Sequence, residues 1–91
     1  MKFNPDALKI VMARRRFSSW GLVKEMRKRG IEMNVPIMMK FLRGKKVPSD
    51  RDIKEFSVIM NWPRNYFFSD VKLPKKIWVS GYIEEVFPSL R

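Results

Sequence analysis

Lysine and arginine are the residues of this chain whose number and spacing point to chemistry. Thirteen of the first 48 residues are basic, in runs such as Arg14-Arg15-Arg16, Arg27-Lys28-Arg29 and Lys45-Lys46, against only the acids Asp6, Glu25 and Glu32. Thirteen bases less three acids leave +10 in that half. The other 43 residues hold seven bases and six acids, or +1, so nearly all of the formal charge of +11 belongs to one half of the chain. Charge of this size and placement raises association rates with phosphate-rich partners and says nothing about fold, so a polyanion is the expected ligand. Two of the residue types most used in covalent and acid-base chemistry are missing. There is no cysteine and no histidine, which removes the usual zinc ligands, the thiol nucleophile and the commonest general base. Glu84 and Glu85 are neighbours that diverge on a helix and make a poor acid/base pair. The expectation is a protein that is not an enzyme and uses no cofactor or metal.

Ninety-one residues with 45% apolar and 13% aromatic composition are enough for one modest core, far from the composition of a disordered basic tail. No apolar run approaches the roughly 18 residues that span a bilayer, and the N-terminus lacks an apolar signal segment. A soluble cytoplasmic protein is expected, with no membrane partner.

The elements that must position the cations read as helices. Asn4 can cap a first helix with Pro5 at its first position, running to about Arg15 with Leu8, Val11 and Met12 inward and Lys9 and Arg16 outward. Phe17 closes the core behind it. Ser18 and Ser19 offer a second cap, and Leu22, Val23 and Met26 repeat at helical spacing until Arg29-Gly30, a left-handed stop. Asn34 caps a short third helix over Val35 to Leu42, ended by Gly44. Two helices joined by a glycine-containing turn are what a helix-turn-helix unit requires. Ser49 and Asp52 approximate a capping box for a fourth helix carrying Ile53, Phe56, Ile59 and Met60 on one face. Asn61-Trp62-Pro63 breaks it before a short fifth helix to Phe68, with Phe67 inward. From residue 71 the pattern is mixed between strand and helix.

The order and spacing of Phe3-Asn4-Pro5-Asp6, Phe17-Ser18-Ser19, Phe41-Leu42-Arg43-Gly44-Lys45, Pro48-Ser49 and Met60-Asn61-Trp62-Pro63 with Tyr66-Phe67-Phe68 resemble the XRE or Cro/lambda-repressor-like helix-turn-helix domains over roughly residues 3 to 69. The resemblance implies an all-α, compact five-helix DNA-binding domain over residues 1–70. Residues 71–91 then form a C-terminal extension of strand or helix structure, for dimerisation or packing. It implies that residues 34–43 enter the major groove, with Val35, Pro36 and Lys40 facing bases. Val35 and Pro36 would touch thymine methyl groups, and Lys40 would donate to guanine. Met39 is read equally as a groove contact or a soft protein contact. Ser19, at a helix N-terminus, would meet a phosphate, and its alternative role is simply to cap. Asn34 carries the same two readings. Arg43, Lys45 and Lys46 follow the recognition helix and are expected on the DNA backbone, while Arg14 to Arg16 and Arg27 to Arg29 either extend that footprint or are solvated.

Three positions depart from the family pattern. Residues Arg27 to Met33 insert between the second and third helices, read as an extra basic turn of the second. Met12 and Leu42 stand where many members pair Arg with Glu, an exchange of an ion pair for an apolar pair that is often neutral or stabilising. Val35-Pro36-Ile37-Met38-Met39 replaces the polar start of the usual recognition helix, with Ile37 and Met38 read as core. Trp62, Tyr66 and Phe68, with Trp78 and Tyr82 in the tail, are expected to form a self-association surface in preference to a base-stacking platform. The leading expectation is a repressor-like transcription regulator that binds double-stranded DNA as a homodimer on a two-fold site. A protein-interaction module on the same fold, such as an antitoxin, anti-repressor or phage accessory factor, and a nonspecific nucleic-acid binder are the alternatives.

Overall fold

A computed structural model describes residues 2–73, whose regular structure is all helical, with no strand. Four α-helices follow one another: α1 (Pro5–Arg15), α2 (Ser19–Lys28), α3 (Val35–Leu42) and α4 (Asp50–Met60). The expected fifth helix is a single 3-10 helix, Arg64–Phe68. Its start follows from Pro63, which precedes it and carries no amide hydrogen. At its end Ser69 returns its amide to the Tyr66 carbonyl, and a stretch this short has no room for α-helical propagation. Trp78 and Tyr82 lie outside the described residues, as does most of the 71–91 extension. Among the described residues no helix is long and apolar enough to cross a membrane.

Each α-helix begins in the same way. The side-chain oxygens of Asn4, Ser18, Asn34 and Ser49 accept from the amides of Asp6, Gly21, Ile37 and Asp52 at 3.0, 3.0, 2.9 and 3.1 Å. An orphan amide is satisfied at every start. At α4 the box is complete, because Asp52 Oδ2 accepts from the Ser49 amide at 3.1 Å. Ser18 is therefore the cap of α2, and Ser19 is its first helical residue. The helices also share one ending: Arg16, Gly30, Gly44 and Asn61 all take positive φ. The next amide in each case reaches back five residues, Phe17 to Met12, Ile31 to Met26, Lys45 to Lys40 and Trp62 to Ser57, at 2.8 to 3.1 Å. This left-handed closure absorbs the last carbonyls and turns the chain sharply.

The residues between α2 and α3 are not an added helical turn. Arg27 and Lys28 end α2, Arg29 and Gly30 turn, and 31–34 run without helix, with Ile31 and Met33 buried. After the left-handed turn at Gly30, two apolar side chains at alternate positions of this non-helical segment plug the core. The core takes Leu8, Val11 and Met12 from α1, Leu22, Val23 and Met26 from α2, and Met38, Phe41 and Leu42 from α3. Phe41, Phe56 and Phe67 meet edge to face, with centroids 6.2 and 5.9 Å apart, and join α3, α4 and the 3-10 helix. Met12 and Leu42 are both buried.

Lys9 departs from its expected outward position. Its side chain is only 12% exposed and pairs with Asp6 at 3.5 Å, so its stem lies along the protein. Asn4 accounts for the order nearby: its amide donates to the Phe67 carbonyl, and its Nδ2 donates to the carbonyls of Ser69 and Val71 at 2.8 and 2.7 Å. One residue thus caps α1 and ties the end of the described chain to it.

Candidate nucleic-acid interface

Helix α3 buries one side and presents the other. At about 100° per residue, Pro36, Lys40 and Arg43 fall within an arc of about 60°, opposite Met38, Phe41 and Leu42. Burial follows that geometry, since the first three are exposed and the second three buried. Val35, Ile37 and Met39 flank the exposed stripe and are half-buried against the core. Of the residues expected to face bases, Pro36 and Lys40 are open to solvent, and Val35 and Met39 offer only part of their surface. Asn34 is exposed at the helix start with its oxygen committed to the cap.

The N-terminus of α2 meets this stripe. Ser19 Oγ donates to the Met39 sulfur at 3.5 Å, which ties the first turn of α2 to the middle of α3. The hydroxyl expected to cap or to bind phosphate is turned toward α3 instead, because Ser18 already serves the cap. The amides of Ser19 and Trp20 have no acceptor within the helix, as first-turn amides never do. These donors and the α2 dipole stand beside the α3 surface.

The basic residues divide into two groups that no count of charge separates. Arg15 reaches α4, donating Nε to the Met60 carbonyl at 2.8 Å and Nη2 to that of Asn61 at 3.1 Å, and its guanidinium lies 5.0 Å from the Trp62 ring centroid. A cation on the last carbonyls of a helix also complements its dipole. Arg27 donates to the Met33 carbonyl at 2.8 Å and stacks 5.5 Å from the Trp20 ring, holding the loop between α2 and α3. Arg29 pairs with Glu55 on α4, and Lys28 with Glu25 at 3.1 Å. In the runs at 14–16 and 27–29, Arg15 and Arg29 thus join helices, Arg27 holds the segment before α3 and Lys28 pairs within α2. By contrast Lys40, Arg43, Lys45 and Lys46 are all exposed and form no ion pair among the described residues. Gly44 places the loop that carries the last two. Its φ is +73°, and a Cβ there would stand 3.3 Å from Pro5 Cγ, so the turn brings that loop against the start of α1.

The described aromatic candidates follow the end of α4. Trp62 and Tyr66 pack edge to face at 5.6 Å, and together with Phe68 they are half-buried on the core. Sequence reasoning missed Trp20, which is 50% exposed. The signal was present, since Trp20, Lys24 and Arg27 recur at i, i+4 and i+7, on the side of α2 away from Leu22 and Met26. Val47, the most exposed large apolar side chain of the described residues at 70%, stands next to Lys46 in the same loop. Comparison with protein-family models, with curated proteins and with solved structures gives no match.

Proposed function

We propose that this chain is a non-catalytic regulator that binds duplex DNA with α3 in the major groove. In this reading α1 to α4 and the 3-10 helix form a lambda-repressor-like domain, with α2 and α3 as its helix-turn-helix unit. The observation that carries the proposal is the junction of the exposed Pro36, Lys40 and Arg43 stripe with the first turn of α2 through Ser19 and Met39. A major groove about 12 Å wide admits one helix. With α3 inserted, the α2 amides and the Lys45-Lys46 loop are the donors that meet backbone phosphates. Two copies joined through Trp62, Tyr66, Phe68 and the tail would read half-sites about one helical turn apart.

The apolar first turn of α3 and the exposed Trp20 support a second reading, in which the same face docks a protein partner. One titration separates the two. Binding of a selected duplex should fall by about 0.9 in log K per log unit of salt for each phosphate neutralised, and Lys40→Ala with Arg43→Ala should weaken it strongly. A flat titration, or full affinity in the double variant, rejects the DNA reading. A stoichiometric protein complex that survives nuclease and needs Met39 and Trp20 would establish the other.

A further inference from the structure

We infer that the first turn of α3 selects DNA by the 5-methyl groups of thymine, with a guanine one or two base-pair steps away read by Lys40. The inference rests on the groove reading above and adds what is read there. Three side chains line that end of the stripe, and none carries a hydrogen-bond donor: Pro36 in the open, with Val35 and Met39, whose sulfur already accepts from Ser19, at its flanks. The polar side chain at this end, Asn34, holds its Oδ1 on the Ile37 amide at 2.9 Å. Reading adenine with an asparagine takes both the amide oxygen and the amide nitrogen, so the cap withdraws Asn34 from that role. Ser19, the nearest hydroxyl of α2, is turned to the Met39 sulfur. What is left to face the groove is apolar. The one apolar group that a major groove displays is the thymine methyl. Lys40 follows Pro36 by four residues, or about 6 Å of helix rise, which is close to two base-pair steps of about 3.4 Å. Its ammonium meets guanine O6 and N7, the acceptors that a lysine reads.

The test compares bases that differ only by that methyl. Duplexes selected by the full chain from a random library should be rich in thymine beside guanine. In the selected sequence each contacted thymine is then replaced by deoxyuridine, which keeps the pairing and the O4 acceptor. Affinity should fall about fourfold per methyl, equivalent to about 0.8 kcal/mol for one buried carbon. Placing 5-methylcytosine rather than cytosine at the same step should recover a similar factor. Pro36→Ala should shrink the thymine-to-uracil ratio while the salt dependence holds. Equal binding of thymine and uracil duplexes overturns methyl reading and leaves groove binding standing, and the comparison needs no variant protein. Failure to retain any duplex overturns both.

Discussion

Replacing Lys45 and Lys46 together by alanine tests whether position rather than amount of charge does the binding. Lys40, Arg43, Lys45 and Lys46 are exposed and form no ion pair among the described residues. If each neutralises one phosphate, the slope of log K against log salt is about −3.6, and the double variant lowers it to about −1.8. At about 50 mM salt each such contact is worth about 1.2 decades of affinity, so the pair costs about 200-fold. At about 200 mM the same pair costs about 20-fold, because counterions released into a saltier bulk gain less entropy. Arg27→Gln with Arg29→Gln is the matched control. It also removes two charges, but those residues hold the Met33 carbonyl and Glu55. That variant should lose about 1 to 2 kcal/mol of stability through lost bonds and keep a slope near −3.6. Fluorescence anisotropy across a salt series, on a selected duplex of about two helical turns, gives the slopes, and urea unfolding gives the stabilities. If the two double variants lose the same slope, total charge governs binding and the division of the cations is wrong.

Three further outcomes test the fold that presents the site. Asn4→Asp should keep the α1 cap but lose both donors to Ser69 and Val71, costing about 2 kcal/mol in urea unfolding, and Asn4→Ala should cost about 1 kcal/mol more. A loss in Asn4→Asp as small as that of a surface substitution would mean that the tie to the 69–73 segment adds nothing. Gly44→Ala should destabilise by about 1 to 2 kcal/mol, more than Gly30→Ala at about 1 kcal/mol. Both glycines have positive φ, but a Cβ would meet a neighbour at Gly44 only. Phe56→Ala should cost about 3 to 5 kcal/mol and broaden or abolish the thermal transition, since its ring joins two aromatic contacts in the core.

Helix starts were legible because a cap is a local event. Asn4, Asn34 and Ser49 each act on an amide two or three residues ahead, and residue type alone announces them. Of the stops, Gly30, Gly44 and the break at Asn61-Trp62-Pro63 could be read, whereas Arg16 reaches the same left-handed conformation with a side chain that disguises it. At Arg16 that conformation works against the residue's preference, and packing of Phe17 behind it holds the turn. Ser18 and Ser19 could not be told apart by type, and one residue of register decided which caps and which faces α3. The fifth helix shortened to a 3-10 turn because its length was bounded by Pro63 and by the return of Ser69.

The sequence alone determined the helices, the apolar stripe inside each and the excess of positive charge in the first 48 residues. These rest on relations three or four positions apart, and a chain carries such relations in its order. Which cations are left to meet a phosphate was decided by the tertiary structure. Arg15 finds its carbonyls 45 and 46 residues away, and Arg29 finds Glu55 at a separation of 26. Such partners exist only after helices have packed. Packing also turned Ser19 toward Met39 and left Pro36, Lys40 and Arg43 as the open edge of α3, because burial of Met38, Phe41 and Leu42 sets the rotation of that helix.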